Sequence, residues 1–98
     1  MSLKERVYSI LVVSAAEKFN ASLAELLPEA HYRPVETVTS ISEAKRLIAE
    51  RSFDFVFINT PLPDDFGLRF AIEVSNMKNA VVLLFVKSEI YGDVLDKV

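Results

Sequence analysis

The chain has 98 residues, 51% of them apolar and 26% charged, with two glycines and four prolines. That composition folds around one core and excludes both a second domain and a disordered chain. A formal net charge of -3, with no Lys or Arg run longer than two, excludes direct nucleic-acid binding, and the lack of cysteine excludes a disulfide framework, a thiolate nucleophile and a Cys-based zinc site.

Tyr8 to Val13 is a short β-branched run suited to the central strand of a parallel sheet. Ser14-Ala15-Ala16-Glu17 has capping-box spacing, and Phe19, Leu23, Leu26 and Leu27 follow at helical intervals up to Pro28, which predicts a helix from Ala15 to Leu27. Tyr32 to Val38 contains Pro34 and reads as an edge strand, where a missing amide is tolerated. Ser40-Ile41-Ser42-Glu43 repeats the capping-box spacing, and Ile41, Ala44, Leu47 and Ile48 form the apolar stripe of a second helix. Phe53 to Ile58 reads as a third strand, interrupted by Pro61 and Pro63, and Phe66 to Met77 as a third helix. Ala80 to Val86 is an unbroken apolar strand, far shorter than the ~20 residues of a membrane-spanning helix. Ile90, Val94, Leu95 and Val98 are spaced for a fourth helix.

Four strand-helix alternations with right-handed crossovers predict a doubly wound α/β domain, 1–98, with a parallel sheet. In such sheets ligands gather at the carboxyl ends of the strands, so the loops after the first, third and fourth strands carry the functional information. After the third comes Asn59-Thr60-Pro61-Leu62-Pro63-Asp64-Asp65-Phe66-Gly67, entered through Phe53-Asp54-Phe55-Val56 and followed by Leu68. The set resembles the receiver domain of response regulators. The resemblance implies a flavodoxin-like fold, truncated after the fourth βα unit, with strand order 2-1-3-4.

In that family an aspartate at the position of Asn59 is phosphorylated, acidic residues after the first strand hold magnesium, and a hydroxyl at the end of the fourth strand completes the switch. Acyl-phosphate chemistry needs a carboxylate nucleophile and a metal that neutralises the transferring group. Here Asn59 is an amide, Ser14 and Ala15 occupy the positions of the acidic pair, and Phe85 that of the hydroxyl. The family lysine belongs after a fifth strand, expected beyond Val98 in a longer protein. The resemblance therefore implies a degenerate phosphorylation site at Asn59, Ser14, Ala15 and Phe85, with no metal and no cofactor.

The remaining residues have structural readings. Ser14 is expected to cap the first helix, and His31, the lone histidine, lies in the loop before the edge strand with no role as a base. Asp64 and Asp65 are expected to favour the N-terminal dipole of the third helix. Asn59 is expected to bond loop amides, and Phe85 to fill the core where the switch operates. No glycine-rich phosphate loop follows the first strand, since Gly67 and Gly92 are the sole glycines.

These readings predict a non-enzymatic, cytoplasmic pseudo-receiver of two-component signalling that binds a protein partner or an attached output domain. The alternative is a flavodoxin-like domain for a small ligand or nucleotide, built on Ser14, Asn59, Thr60 and Lys87. The fourth strand, with seven apolar residues and an open edge, favours a fragment of a longer protein whose further chain covers it, with a homodimer through that strand and its helix as the linked alternative.

Overall fold

The computed structural model describes residues 6–77 and 80–86. Strands and helices alternate as β1 (Tyr8–Val13), α1 (Glu17–Leu26), β2 (Tyr32–Val38), α2 (Ile41–Glu50), β3 (Phe55–Asn59), α3 (Leu68–Met77) and β4 (Val81–Phe85). The four strands form one parallel sheet in the order β2-β1-β3-β4, as expected. The fourth helix expected from Ile90 to Val98 lies outside the described residues.

Strand alternation divides the sheet residues between two faces. Leu11, Val13, Val56 and Ile58 point to one face, where Ile41, Ala44 and Ile48 of α2 and Phe70, Ala71 and Val74 of α3 complete the buried core. Full burial of each such Leu, Ile or Val contributes roughly 1.5–3 kcal/mol, so this layer supplies most of the driving force. On the other face Ile10 and Val12 of β1 are buried, whereas Val81 and Leu83 of β4 remain 55% and 41% exposed.

Three elements start two residues later than the sequence expectation, each for a local reason. The Ser14 amide donates to the Val38 carbonyl at 2.9 Å, which extends the β1–β2 ladder by one residue. The helix therefore starts at Glu17 rather than Ala15, its N-cap is Ala16 with no side-chain cap, and the expected Ser14–Glu17 capping box is not formed. α3 starts at Leu68 rather than Phe66, because Gly67 before it has φ +97, a left-handed turn that blocks helix propagation. Phe53 lies before β3 rather than in it, buried in the core with the Arg51 guanidinium 5.5 Å from its ring centroid.

The second capping box forms as its spacing requires. Ser40 Oγ accepts from the Glu43 amide at 3.2 Å, and Glu43 Oε1 accepts from the Ser40 hydroxyl at 3.1 Å and the Thr39 amide at 3.4 Å. At the opposite end of the sheet, the Ser9 amide donates to Asp54 Oδ2 at 2.9 Å while the Asp54 amide donates to Ser9 Oγ at 3.0 Å, fixing β1 against the entry to β3.

Candidate functional site

The carboxyl ends of β1, β3 and β4 bring Ser14, Asn59 and Phe85 onto one face. Alternation sets Ile10, Val12 and Ser14 on the side of the sheet opposite the α2–α3 core, and Phe55, Phe57 and Asn59 stand beside them. Asn59 is paired in register with Phe85. Three of the four residues expected at the receiver-site positions are thus neighbours, and the fourth, Ala15, is exposed two residues past the end of β1.

Hydrogen bonding makes this cluster neutral and largely self-satisfied. Asn59 Nδ2 donates to Ser14 Oγ at 3.3 Å, and the same oxygen accepts from the Ala16 amide at 3.2 Å. Among the described residues Asn59 therefore donates to the Ser14 side chain, one residue past β1, where bonds to loop amides were expected. Ser14 is fully buried, and its carbonyl accepts from Asn20 Nδ2 at 3.0 Å. Asn20 escaped the sequence reading because nothing in its spacing distinguishes it from a solvated residue of α1.

Phe85 packs edge-to-face with Phe19 of α1 at 5.2 Å and with Phe57 of β3 at 5.9 Å between ring centroids. It is half-buried on the α1 side rather than a core residue, because β4 is the last strand of the described sheet and its α1-side face is only partly covered. The ring closes the site laterally, where a phenyl group offers no donor to an anion.

The loop residues serve the scaffold. Asp64 does not face α3 as expected; it reaches the N-terminus of α2, where its carboxylate accepts from the Ile41 amide at 2.9 Å, the Ser42 amide at 3.0 Å and the Ser42 hydroxyl at 2.9 Å. These bonds, the Ile41 amide first, hold its carboxyl below the usual carboxylate pKa. With Ser40 taking the Glu43 amide, the opening donors of α2 are satisfied from two directions. Asp65 folds its own turn, its Oδ1 accepting from the Gly67 amide at 2.8 Å and its carbonyl from the Leu62 amide at 3.0 Å. Pro63 is exposed between these anchors. Thr60 turns to the opposite face from Asn59, is 1% exposed, and leaves its hydroxyl without a partner among the described residues.

This donor set does not fit a hard dication. Ser14, Ala15 and Asn59 contribute no carboxylate, whereas magnesium and calcium select anionic oxygen ligands. Among the described residues no group of three or more His, Cys, Asp or Glu is placed to hold a metal. Nucleophilic activation of Ser14 is equally unsupported. His31 adjoins Tyr8 at the amino end of β1, through the Tyr8 amide bond to its carbonyl, and so lies about 20 Å of strand away.

Comparison with known proteins agrees with this architecture. A mutant of the response regulator MaeR bound to sulfate superposes with a TM-score of 0.77 at 22% identity, covering 92% of this chain and 78% of that one. The chain has a receiver fold. MaeR bound to beryllium trifluoride matches at 22% identity with a TM-score of 0.70, covering 91% of this chain and 77% of its own. No family model and no curated protein matches the sequence. No helix among the described residues is long and apolar enough to cross a membrane.

Proposed function

We propose that this receiver fold works without aspartyl phosphorylation, as a regulatory protein-interaction module of two-component-type signalling in the cytoplasm. It has no catalytic activity of its own and acts within a longer regulator that carries the output domain. The observation that carries the reading is the bond from Asn59 Nδ2 to Ser14 Oγ. An amide donor and a hydroxyl acceptor stand where acyl-phosphate formation needs a nucleophilic carboxylate and anionic metal ligands, and Phe85 beside them cannot donate to a phosphoryl oxygen.

The test is incubation of the protein with acetyl phosphate and magnesium, followed by intact mass spectrometry. The expected result is an unchanged mass. A hydroxylamine-sensitive adduct of phosphate mass would overturn the reading, since such an adduct requires a carboxyl acceptor that this site does not offer.

A further inference from the structure

Two loops at the carboxyl edge of the sheet share their polar groups. α2 opens with amides that its own first turn leaves unsatisfied. The local sequence answers part of that demand, Ser40 Oγ accepting from the Glu43 amide at 3.2 Å. The Ile41 amide, the Ser42 amide and the Ser42 hydroxyl donate instead to the Asp64 carboxylate, 23 and 22 residues ahead in the β3–α3 loop. Asp64 is exposed, so these bonds form in competition with water and the link is reversible.

The loop that carries Asp64 is a small packed unit. Its Asp65 carbonyl accepts from the Leu62 amide at 3.0 Å, and Asp65 Oδ1 accepts from the Gly67 amide at 2.8 Å. Leu62 is buried in the α2–α3 core, and its Cδ1 and the Thr60 methyl each lie 3.6 Å from a Cβ built on Gly67. One group opposes closure. The Thr60 hydroxyl, at the head of the loop beside Asn59, is buried with no partner among the described residues, and exposure to water would relieve it. The closed loop is therefore held by the Asp64 bonds and the Leu62 side chain against an unsatisfied hydroxyl, the kind of balance in which a segment opens below the global unfolding limit.

We propose that Asp64 latches the first turn of α2 to the β3–α3 loop, so that Ile41, Ser42 and residues 60–67 open and close as one unit. The unit is a conformational relay. A change beside Asn59 and Thr60 reaches α2, and anything that binds one part in its open or closed form shifts the exposure of the other. The relay is independent of the function proposed above, which concerns whether the strand ends accept a phosphoryl group; either can fail alone.

Amide hydrogen exchange resolved by NMR on the full chain tests it. In the unmodified chain Ile41, Ser42, Leu62 and Gly67 are expected to share one protection factor, lower than that of Val12 in the central strand β1. Asp64→Ala exposes the Ile41 and Ser42 amides directly, so the informative amides are Leu62 and Gly67, whose Asp65 acceptors remain. Their protection is expected to fall by roughly fivefold, the equilibrium equivalent of a lost helix cap. Thr60→Val, which removes the hydroxyl that opening would hydrate, is expected to raise protection at all four amides by one factor. Unchanged exchange at Leu62 and Gly67 in Asp64→Ala would overturn the proposal, since Asp64 would then be a cap whose side chain moves alone. Slowing confined to Leu62 and Gly67 in Thr60→Val would do the same. So would, in the unmodified chain, four unrelated protection factors or values equal to that of Val12, a comparison that decides even if a variant fails to fold.

Discussion

Thr60→Val isolates the oddest group at the strand ends. Thr60 is 1% exposed, and its Oγ1 is buried with no hydrogen-bond partner among the described residues. A hydroxyl withdrawn from water without compensation costs about 1–3 kcal/mol, whereas a methyl group of the same shape carries no such cost. Valine keeps the β-branch, and it keeps the amide that donates to the Phe85 carbonyl at 3.0 Å. The methyl that lies 3.6 Å from a Cβ built on Gly67 is also retained. The expected result is stabilisation by about 1–2 kcal/mol, and for a domain of this size each kcal/mol raises Tm by roughly 4–8 °C. Urea unfolding followed by far-UV circular dichroism measures it, with an unchanged m-value showing that the midpoint shift reflects stability. Thr60→Ser, which keeps the hydroxyl and deletes the methyl, should destabilise by about 1 kcal/mol. Destabilisation by Thr60→Val would refute the reasoning. It would mean that the hydroxyl is hydrogen-bonded in solution and that a polar, ligand-competent strand end underlies the fold.

Gly67→Ala should cost about 2–4 kcal/mol in urea unfolding, combining the penalty of a left-handed conformation with overpacking, because its φ is +97 and the new Cβ would lie 3.1 Å from Ile58 Cγ2. Ser40→Ala, which removes the acceptor of the Glu43 amide, should cost about 1 kcal/mol. Asp64→Ala should lower Tm at neutral pH. Because the folded-state pKa of Asp64 is depressed, its contribution is present above the ordinary value of 3.8 and is lost as pH falls through the lower folded value. The difference between the variant and the unmodified chain should accordingly shrink under acid, and a difference independent of pH would show that the α2 bonds are not ionic in origin. Asn59→Asp should not gain phosphorylation from acetyl phosphate and magnesium, as intact mass reports, since Ser14 and Ala15 still supply no metal ligand.

The fold was legible in this sequence because apolar periodicity and the Ser40–Glu43 box are local signals, and the strand order follows from the crossover rule once the elements are assigned. Proline at position 34 marked the edge strand for the same reason. The site was legible only as a set of positions. Ser14, Asn59 and Phe85 do meet, but what they do to one another depends on distances no spacing rule contains. Ser14 had the spacing of an N-cap and became the last rung of the β1–β2 ladder, because its amide found the Val38 carbonyl first along the strand. Asp64 had the position of an acid before α3 and instead satisfies α2, a partner 22 and 23 residues back in sequence. Dipole arguments identify a helix terminus that favours a carboxylate, but tertiary packing decides which terminus it reaches.

The neutral residues at the strand ends contact one another rather than standing independently. Fully buried Ser14 presents an acceptor to the Asn59 amide, and the half-buried Phe85 ring stands in register with Asn59. A carboxylate introduced at position 59 alone could accept from the Ser14 hydroxyl, but the Phe85 ring in register with it offers no donor. On the function proposed above, acyl-phosphate chemistry here would need acids at 14 or 15 and the cation they bind, together with a hydroxyl at 85.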